Sequence, residues 1–203
     1  MKLYYSPGAC SLADHIALEW IGQPYEAIRV EREQRRQPAF LALNPAGAVP
    51  VLEVNGWVLT QNAAILNYLA DRFPQSGLGG DGTPESRAEI NRWLAFVNSD
   101  VHPAFKPLFG ATAYLGDESV VEATRQNARV QVRALLERAD AALAGREWIA
   151  GTRSIADPYL FVVLRWARGA QVDLGGLDNL ERFFRTMRAD PAVQKVLDVE
   201  TAK

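Results

Sequence analysis

KLYYSPGACSLADHIALEWIG at residues 2–22 carries the pattern that decides the fold of the first part of the chain. KLYY is a short strand, and the run SPG at 6–8 ends it, because such a run continues neither a strand nor a helix. Ser11 is placed to cap a helix with apolar residues every four positions, and Gly22 supplies its left-handed stop. The alternating segment YEAIRVE at 25–31 predicts a second strand, so the three elements form a βαβ unit with parallel strands.

A second group of elements follows this unit. PAFLALN at 38–44 predicts a short helical segment. VPVLEV at 49–54, Asn55-Gly56 and WVLT at 57–60 predict a β-hairpin with a two-residue turn. A helix through Phe73 follows, opened by Thr60 or Asn62. The order βαβαββα predicts an α/β thioredoxin-like N-terminal domain.

The rest of the chain has helical patterns only, which predicts an all-α C-terminal helical domain. SGLGGDG at 76–82 has four glycines and one large residue, as an interdomain linker does. We therefore predict a thioredoxin-like domain over 1–76, a linker over 77–83 and a helical domain over 84–203. Its helices are predicted from Pro84, over 119–143, from Ser154, and over 177–189 and 191–198.

Composition excludes several classes of protein. A net charge of −2 and a pI of about 5.8 argue against non-specific binding to nucleic acid or to an anionic membrane. We expect neither a signal peptide, since Pro7 and Gly8 come too early, nor a membrane span. The single cysteine cannot form an internal disulfide or a zinc site. These features predict a cytoplasmic protein without a metal.

Cys10 is the first candidate for chemistry. A free cysteine is usually a small buried hydrophobic residue, and that alternative stays open. However, Cys10 follows a turn and precedes a helix, where the helix dipole predicts a lowered pKa for its thiol. Ala13 stands where a second redox cysteine would be, so Cys10 can form a mixed disulfide but cannot resolve it internally.

Three further segments are candidates. If the Val49–Pro50 bond is cis, the main chain of Val49 can pair with an extended peptide; the alternative is a trans proline at a strand edge. Gln61 and Asn62 stand at a helix N-terminus, which can bind a carboxylate or be simply capped. His102 lies near two prolines that bend its helix towards a cleft, although lone histidines are more often structural.

Ser154-Ile155-Ala156-Asp157 is a capping box with Asp in place of Glu or Gln. Its predicted meaning is structural. The second histidine, His15, has no functional context and is also interpreted as structural.

Taken together, these segments resemble the bacterial beta class of the glutathione S-transferases over nearly the whole chain. The resemblance rests on four stretches. They are KLYYSPGACSLADHI at 2–16, NPAGAVPVLEVNGWVLTQNAAILNYLAD at 44–71, NSDVHPAFKPLF at 98–109 and GTRSIADPYLFVVLRWA at 151–167.

The resemblance implies a homodimer that uses glutathione as co-substrate. It implies that Cys10, with Ser11 beside it, contacts or traps the glutathione sulfur, and that His102 lines the thiol site. It further implies main-chain pairing through Val49, a cis Pro50, and a γ-glutamyl carboxylate held by Gln61 and Asn62. Asp100 is implied to reach the γ-glutamyl amine of the partner subunit's ligand.

Three positions depart from the family pattern: Asp14 replaces a frequent proline, Gln61 a common Glu, and Ala46 a common Lys. The glycine carboxylate therefore needs another cation, and Arg35 or Arg36 is the candidate, with a solvated charged loop as the alternative. The small hydrophobic electrophile is expected between the domains, in a pocket formed by Phe105, Phe109, Tyr114 and Trp166.

Three functions remain open from the sequence. The first is a transferase that conjugates glutathione to electrophiles in detoxification, and the second is a glutathione-dependent thiol–disulfide oxidoreductase that uses Cys10. The third is a non-enzymatic glutathione-binding module, since the fold also serves as a scaffold.

Overall fold

The computed structural model of the protein describes residues 1–202. Its sheet has four strands in the order β2-β1-β3-β4, which are β1 (Lys2–Tyr5), β2 (Glu26–Arg29), β3 (Val51–Val54) and β4 (Trp57–Thr60). β1 pairs in parallel with β2 and antiparallel with β3, while β3 and β4 form the predicted hairpin. The strands β2 and β3 are shorter than the alternating segments that predicted them.

Three helices accompany the sheet: α1 (Leu12–Ile21), α2 (Pro38–Leu41) and α3 (Asn62–Arg72). Gly22 ends α1 with φ of 72°, as predicted. The predicted side-chain caps are wrong, because no side chain accepts a hydrogen bond from the first N–H groups of α1 or α3. The order βαβαββα and the thioredoxin-like fold are confirmed.

The second part of the chain is helical. Its helices are α4 (Pro84–Ala95), α5 (His102–Ala104), α6 (Glu118–Ala142), α7 (Ala156–Gly169), α8 (Asp178–Ala189) and α9 (Pro191–Thr201). A π-helical segment, Phe96–Val101, joins α4 to α5. Pro103 has no N–H to continue the α-helical pattern, so the distortion falls just before it. This break turns His102 towards the first domain. Within residues 1–202, no helix has the length and apolar character needed to cross a membrane.

The capping box at 154–157 is present, although the hydroxyl of Ser154 accepts from the N–H of residue 156 and not from that of residue 157. Ser154 Oγ accepts from the N–H of Ala156, and Asp157 Oδ2 accepts from the N–H of Ser154 at 2.7 Å. Asp157 Oδ1 also accepts from the N–H of Ile149 at 3.0 Å, which ties the preceding loop to the start of α7. Helix α7 then packs against α1 in one core that continues across both parts of the chain.

Candidate functional site

The turn between β1 and α1 is held by the side chain of Ser11. Its hydroxyl accepts from the N–H of Ser6 at 3.2 Å and donates to the carbonyl of Ser6 at 3.3 Å. Ser11 is fully buried and does not line the cavity described below. The expectation that the Ser11 side chain lies beside the ligand sulfur is therefore corrected, because its hydroxyl makes both of its hydrogen bonds to the main chain of Ser6.

Cys10 is half-buried at the end of this turn, and its Sγ lies 3.7 Å from the carbonyl oxygen of Val49, to which the thiol donates. The predicted lowering of its pKa is wrong. Burial, and then the charge of Asp14, raise the pKa of the Cys10 thiol to about 12, although the N–H groups of Cys10 and Ser11 favour the thiolate. Desolvation outweighs the helix N-terminus here. In the free protein Cys10 is a neutral thiol.

The opposite wall comes from β3 and its preceding loop. The Val49–Pro50 bond is cis, as the resemblance implied. Among residues 1–202, the N–H of Val49 has no hydrogen-bond acceptor. It therefore remains a main-chain donor at the cavity edge, next to the Cys10 thiol.

Gln61 and Asn62 form the third wall at the start of α3. Gln61 has a left-handed backbone, with φ of 75°. Asn62 donates from Nδ2 to the carbonyl of Cys10 at 2.9 Å, so it joins the beginnings of α1 and α3 instead of capping its own helix. This bond fixes both residues relative to Cys10.

The fourth wall comes from the helical domain. Nδ1 of His102 lies 2.6 Å from the hydroxyl of Tyr159, which in turn lies 3.4 Å from Oδ1 of Asn98. Burial and the ammonium group of Lys106 hold the pKa of His102 below its ordinary value of 6.5. Its imidazole is therefore neutral at pH 7, and it faces Cys10 across the cavity.

These four walls enclose a cavity of about 300 Å³ between the two domains. Six of the predicted site residues line it, namely Cys10, Val49, Pro50, Gln61, Asn62 and His102, and so does Ala46, which replaces the lysine common in the family. Sequence reasoning missed four polar lining residues, which are Asn44, Asn98, Lys106 and Tyr159. Of residues 1–202, Lys106 is the only lysine or arginine that lines the cavity. Its position four residues after His102 was the one feature of the sequence that could have predicted this placement.

The predicted electrophile pocket is only partly assembled. Phe105, Phe109 and Trp166 pack together with ring centroids 5.2–5.7 Å apart, and Trp166 also lies 4.7 Å from the ring of His102. Phe105 is completely buried, so it supports this cluster from behind. Tyr114 is 82% exposed and makes no ring contact with the cluster. The structure thus gives an aromatic surface from Phe109 and Trp166, beside the polar cavity.

Two predicted ligand contacts lie outside the cavity of this subunit. Arg35 is in a short 3-10 turn and does not line the cavity. Its carbonyl oxygen lies next to Gly47, in a loop whose residues 44, 46 and 48 do line the cavity. Asp100 is exposed and lines a separate groove between α5 and α6. The resemblance implied a role for Asp100 only at the ligand of a partner subunit, and that role stays a prediction.

Two hydrogen bonds from the helical domain hold the peptide groups of Gly8. Glu200 on α9 accepts from the Gly8 N–H at 3.0 Å, and Trp166 on α7 donates to the Gly8 carbonyl at 2.8 Å. Glu200 also bonds the buried ring of His15. The Cys10 turn therefore depends on contacts 158 and 192 residues away in sequence, which no local pattern predicts.

Comparisons with known proteins agree with this arrangement. Residues 1–71 match the family model "Glutathione S-transferase, N-terminal domain", and residues 101–191 match "Glutathione S-transferase, C-terminal domain". The chain is 58% identical to glutathione S-transferase GST-4.5 of Xanthomonas campestris over 201 residues, or 98% of each chain.

Two solved structures are similar over nearly the whole chain, both with a TM-score of 0.88 and 37% identity. One is a sphingomonad glutathione S-transferase complexed with glutathione, covering 100% of both chains. The other is a beta-class glutathione S-transferase of Sphingomonas chungbukensis, covering 99% of both. The chain therefore belongs to the glutathione S-transferase family and is a glutathione transferase of the bacterial beta-class type.

Proposed function

We propose that this chain binds glutathione in the cavity beside Cys10 and conjugates its thiol to small, mostly hydrophobic electrophiles. The observation that carries the proposal is the free N–H of Val49 next to a thiol. A peptide that adds to this edge pairs its main chain with Val49 and brings a cysteinyl sulfur towards Cys10. A relative with 37% identity has been solved with glutathione bound.

The polar groups of the cavity suit the charges of glutathione. The beginning of α3, with Gln61 and Asn62, offers N–H groups to one carboxylate. Lys106 has no salt-bridge partner among residues 1–202 and is available to the other. We assign Lys106 this role in preference to Arg35, because Lys106 lines the cavity and Arg35 does not.

The chemistry follows from how the sulfur is surrounded. The N–H groups of Cys10 and Ser11, which have no acceptor in residues 1–202, stabilise a thiolate placed beside them. Neutral His102 can accept the proton that the glutathione thiol loses. The thiolate then displaces a leaving group, such as chloride, from an electrophile that rests on Phe109 and Trp166. Cys10 stays protonated, so the glutathione sulfur is the nucleophile.

A second candidate activity is thiol–disulfide exchange at Cys10, which the position of this half-buried thiol on the cavity wall favours. In both activities residues 1–76 act as the glutathione-binding domain, 77–83 as the linker and 84–203 as the helical domain. We place the protein in the cytoplasm, where a thiol stays reduced.

Substituting Lys106→Met tests the proposed function. Loss of a charge-assisted contact of about 1.5 kcal/mol should weaken glutathione binding roughly tenfold. Calorimetric titration and initial rates with chlorodinitrobenzene measure binding and conjugation. Lys195→Met is the matched control, since it removes the same charge from α9 outside the cavity. Wild-type protein that neither binds glutathione nor forms the conjugate would overturn the proposal; equal affinity in both variants would reject Lys106 alone.

We also propose a homodimer in which Asp100 reaches the partner's ligand. Asp100 is exposed and lines the groove between α5 and α6. Val130 on α6 is 61% exposed, and it lies close in sequence to Gln131 and Ala134, which also line this groove. Sedimentation at micromolar concentration should give twice the 22.4 kDa of one chain. Val130→Glu should shift this towards the monomer, whereas a monomeric wild-type protein would contradict the proposal.

A further inference from the structure

Asp14 has an environment that a carboxylate does not tolerate well. Its side chain is completely buried, and neither carboxyl oxygen has a hydrogen-bond partner among residues 1–202. No salt bridge to Asp14 occurs in that part of the chain. A buried acid without a donor or a cation is stable mainly in its neutral form.

The position of Asp14 relates it to Cys10. Asp14 lies in the first turn of α1, and Cys10 lies in the turn just before that helix. The N–H of Ala13 donates to the Cys10 carbonyl at 3.0 Å, so the two residues are about one turn of backbone apart. Asn62 donates its Nδ2 to the Cys10 carbonyl, but its Oδ1 is buried without a donor. Three buried oxygens of Asp14 and Asn62 therefore lack donors among residues 1–202, although the amide group of Asn62 itself favours the Cys10 thiolate.

The other titratable groups around α1 do not change this balance. Tyr159 from α7 has a raised pKa, first from burial and then from the charges of Cys10 and Asp14. From α9, Glu200 is engaged by His15 and Gly8. Tyr5 of β1 packs on the ring of His15, and α3 contributes only the amide of Asn62. None of these groups brings a free positive charge to Asp14.

We propose that Asp14 is a positioning residue that controls the ionisation of Cys10: its buried carboxyl group, which has no hydrogen-bond partner among residues 1–202, opposes the Cys10 thiolate once that carboxyl group is itself ionised. Burial, which raises the pKa of Asp14 well above its ordinary value, agrees with this role. The proposal deepens the proposed function, and it rests on that function only in placing Cys10 at the glutathione site.

The test is the pH dependence of Cys10 alkylation by iodoacetamide, from about pH 6 to about pH 10. Cys10 is the single cysteine, so mass spectrometry follows it unambiguously. Wild type and Asp14→Asn should react equally at low pH. Above the pH at which Asp14 ionises, Asp14→Asn should react roughly tenfold faster, as expected for a coupling of about one pKa unit.

Glu19→Gln is the matched control, because it removes a carboxyl from the same helix at a site bonded to Lys195 and Tyr25. Its profile should follow wild type. Superimposed profiles of wild type and Asp14→Asn would overturn the proposal. If Asp14→Asn does not fold, carbon-13 NMR of wild type decides: an Asp14 pKa at its ordinary value overturns the proposal, and a raised Asp14 pKa supports it. No step uses glutathione, so failure to bind glutathione is a separate result.

Discussion

Substituting Asp157→Ala should lower the free energy of unfolding by about 2–4 kcal/mol, because it leaves two buried N–H groups without acceptors. These are the N–H groups of Ser154 and Ile149, which Asp157 holds at 2.7 and 3.0 Å. The start of α7 and the loop before it are then no longer joined. Urea unfolding at a fixed protein concentration measures the change.

Two variants show whether the carboxyl group itself is responsible. Ser154→Ala removes only the capping hydroxyl and should cost about 1 kcal/mol. Asp157→Asn keeps one acceptor oxygen, so its loss in free energy of unfolding should fall between those of Asp157→Ala and Ser154→Ala. Glutathione affinity should be unchanged in folded Asp157→Ala, since Asp157 does not line the cavity. An equal loss for Asp157→Ala and Ser154→Ala would show that the loop contact contributes nothing.

The penalty for Asp157→Ala should also depend on pH. Burial raises the pKa of Asp157 from 3.8 to about 7. Between these values the folded protein binds more protons than the unfolded chain, so the contribution of Asp157 is full below about pH 4 and declines towards about pH 7. The difference between wild type and variant should therefore be larger at pH 5 than at pH 8.

Interactions between neighbours in sequence made the fold predictable. The left-handed Gly22, the Asn55-Gly56 turn and the capping box at 154–157 each involve residues within a few positions of one another, so composition and spacing predict them. The linker glycines and the start of a helix at Pro84 are signals of the same kind. Six site residues were found for this reason, since they stand at strand ends and helix starts.

Contacts distant in sequence were not predictable. The bonds of Glu200 and Trp166 to Gly8 depend on how α7 and α9 pack on α1. The pKa of Cys10 was also not predictable from the local sequence. The local sequence indicates only the helix N-terminus, which lowers it, whereas the packing of both domains causes the desolvation that raises it.

A raised pKa does not remove Cys10 from chemistry, but it limits which reaction needs it. In the proposed conjugation, the sulfur that attacks belongs to glutathione, and the N–H groups of Cys10 and Ser11 stabilise its thiolate. In exchange, the Cys10 thiolate attacks the glutathione sulfur of a mixed disulfide between glutathione and a second thiol, forms a disulfide with that glutathione and releases the second thiol as its thiolate. A second glutathione must then attack the adduct to restore Cys10, because the chain has no other cysteine.

Cys10→Ala should therefore abolish thiol–disulfide exchange but keep conjugation measurable. Exchange should fall about a hundredfold or more, to the rate without enzyme, because the only protein nucleophile is gone. Conjugation should stay within about tenfold, since alanine preserves the N–H groups at positions 10 and 11. Initial rates with a hydroxyethyl disulfide and with chlorodinitrobenzene measure the two activities, and mass spectrometry should detect the adduct only in wild type treated with oxidised glutathione. Loss of both activities, with glutathione binding intact, would instead make Cys10 the nucleophile for both reactions.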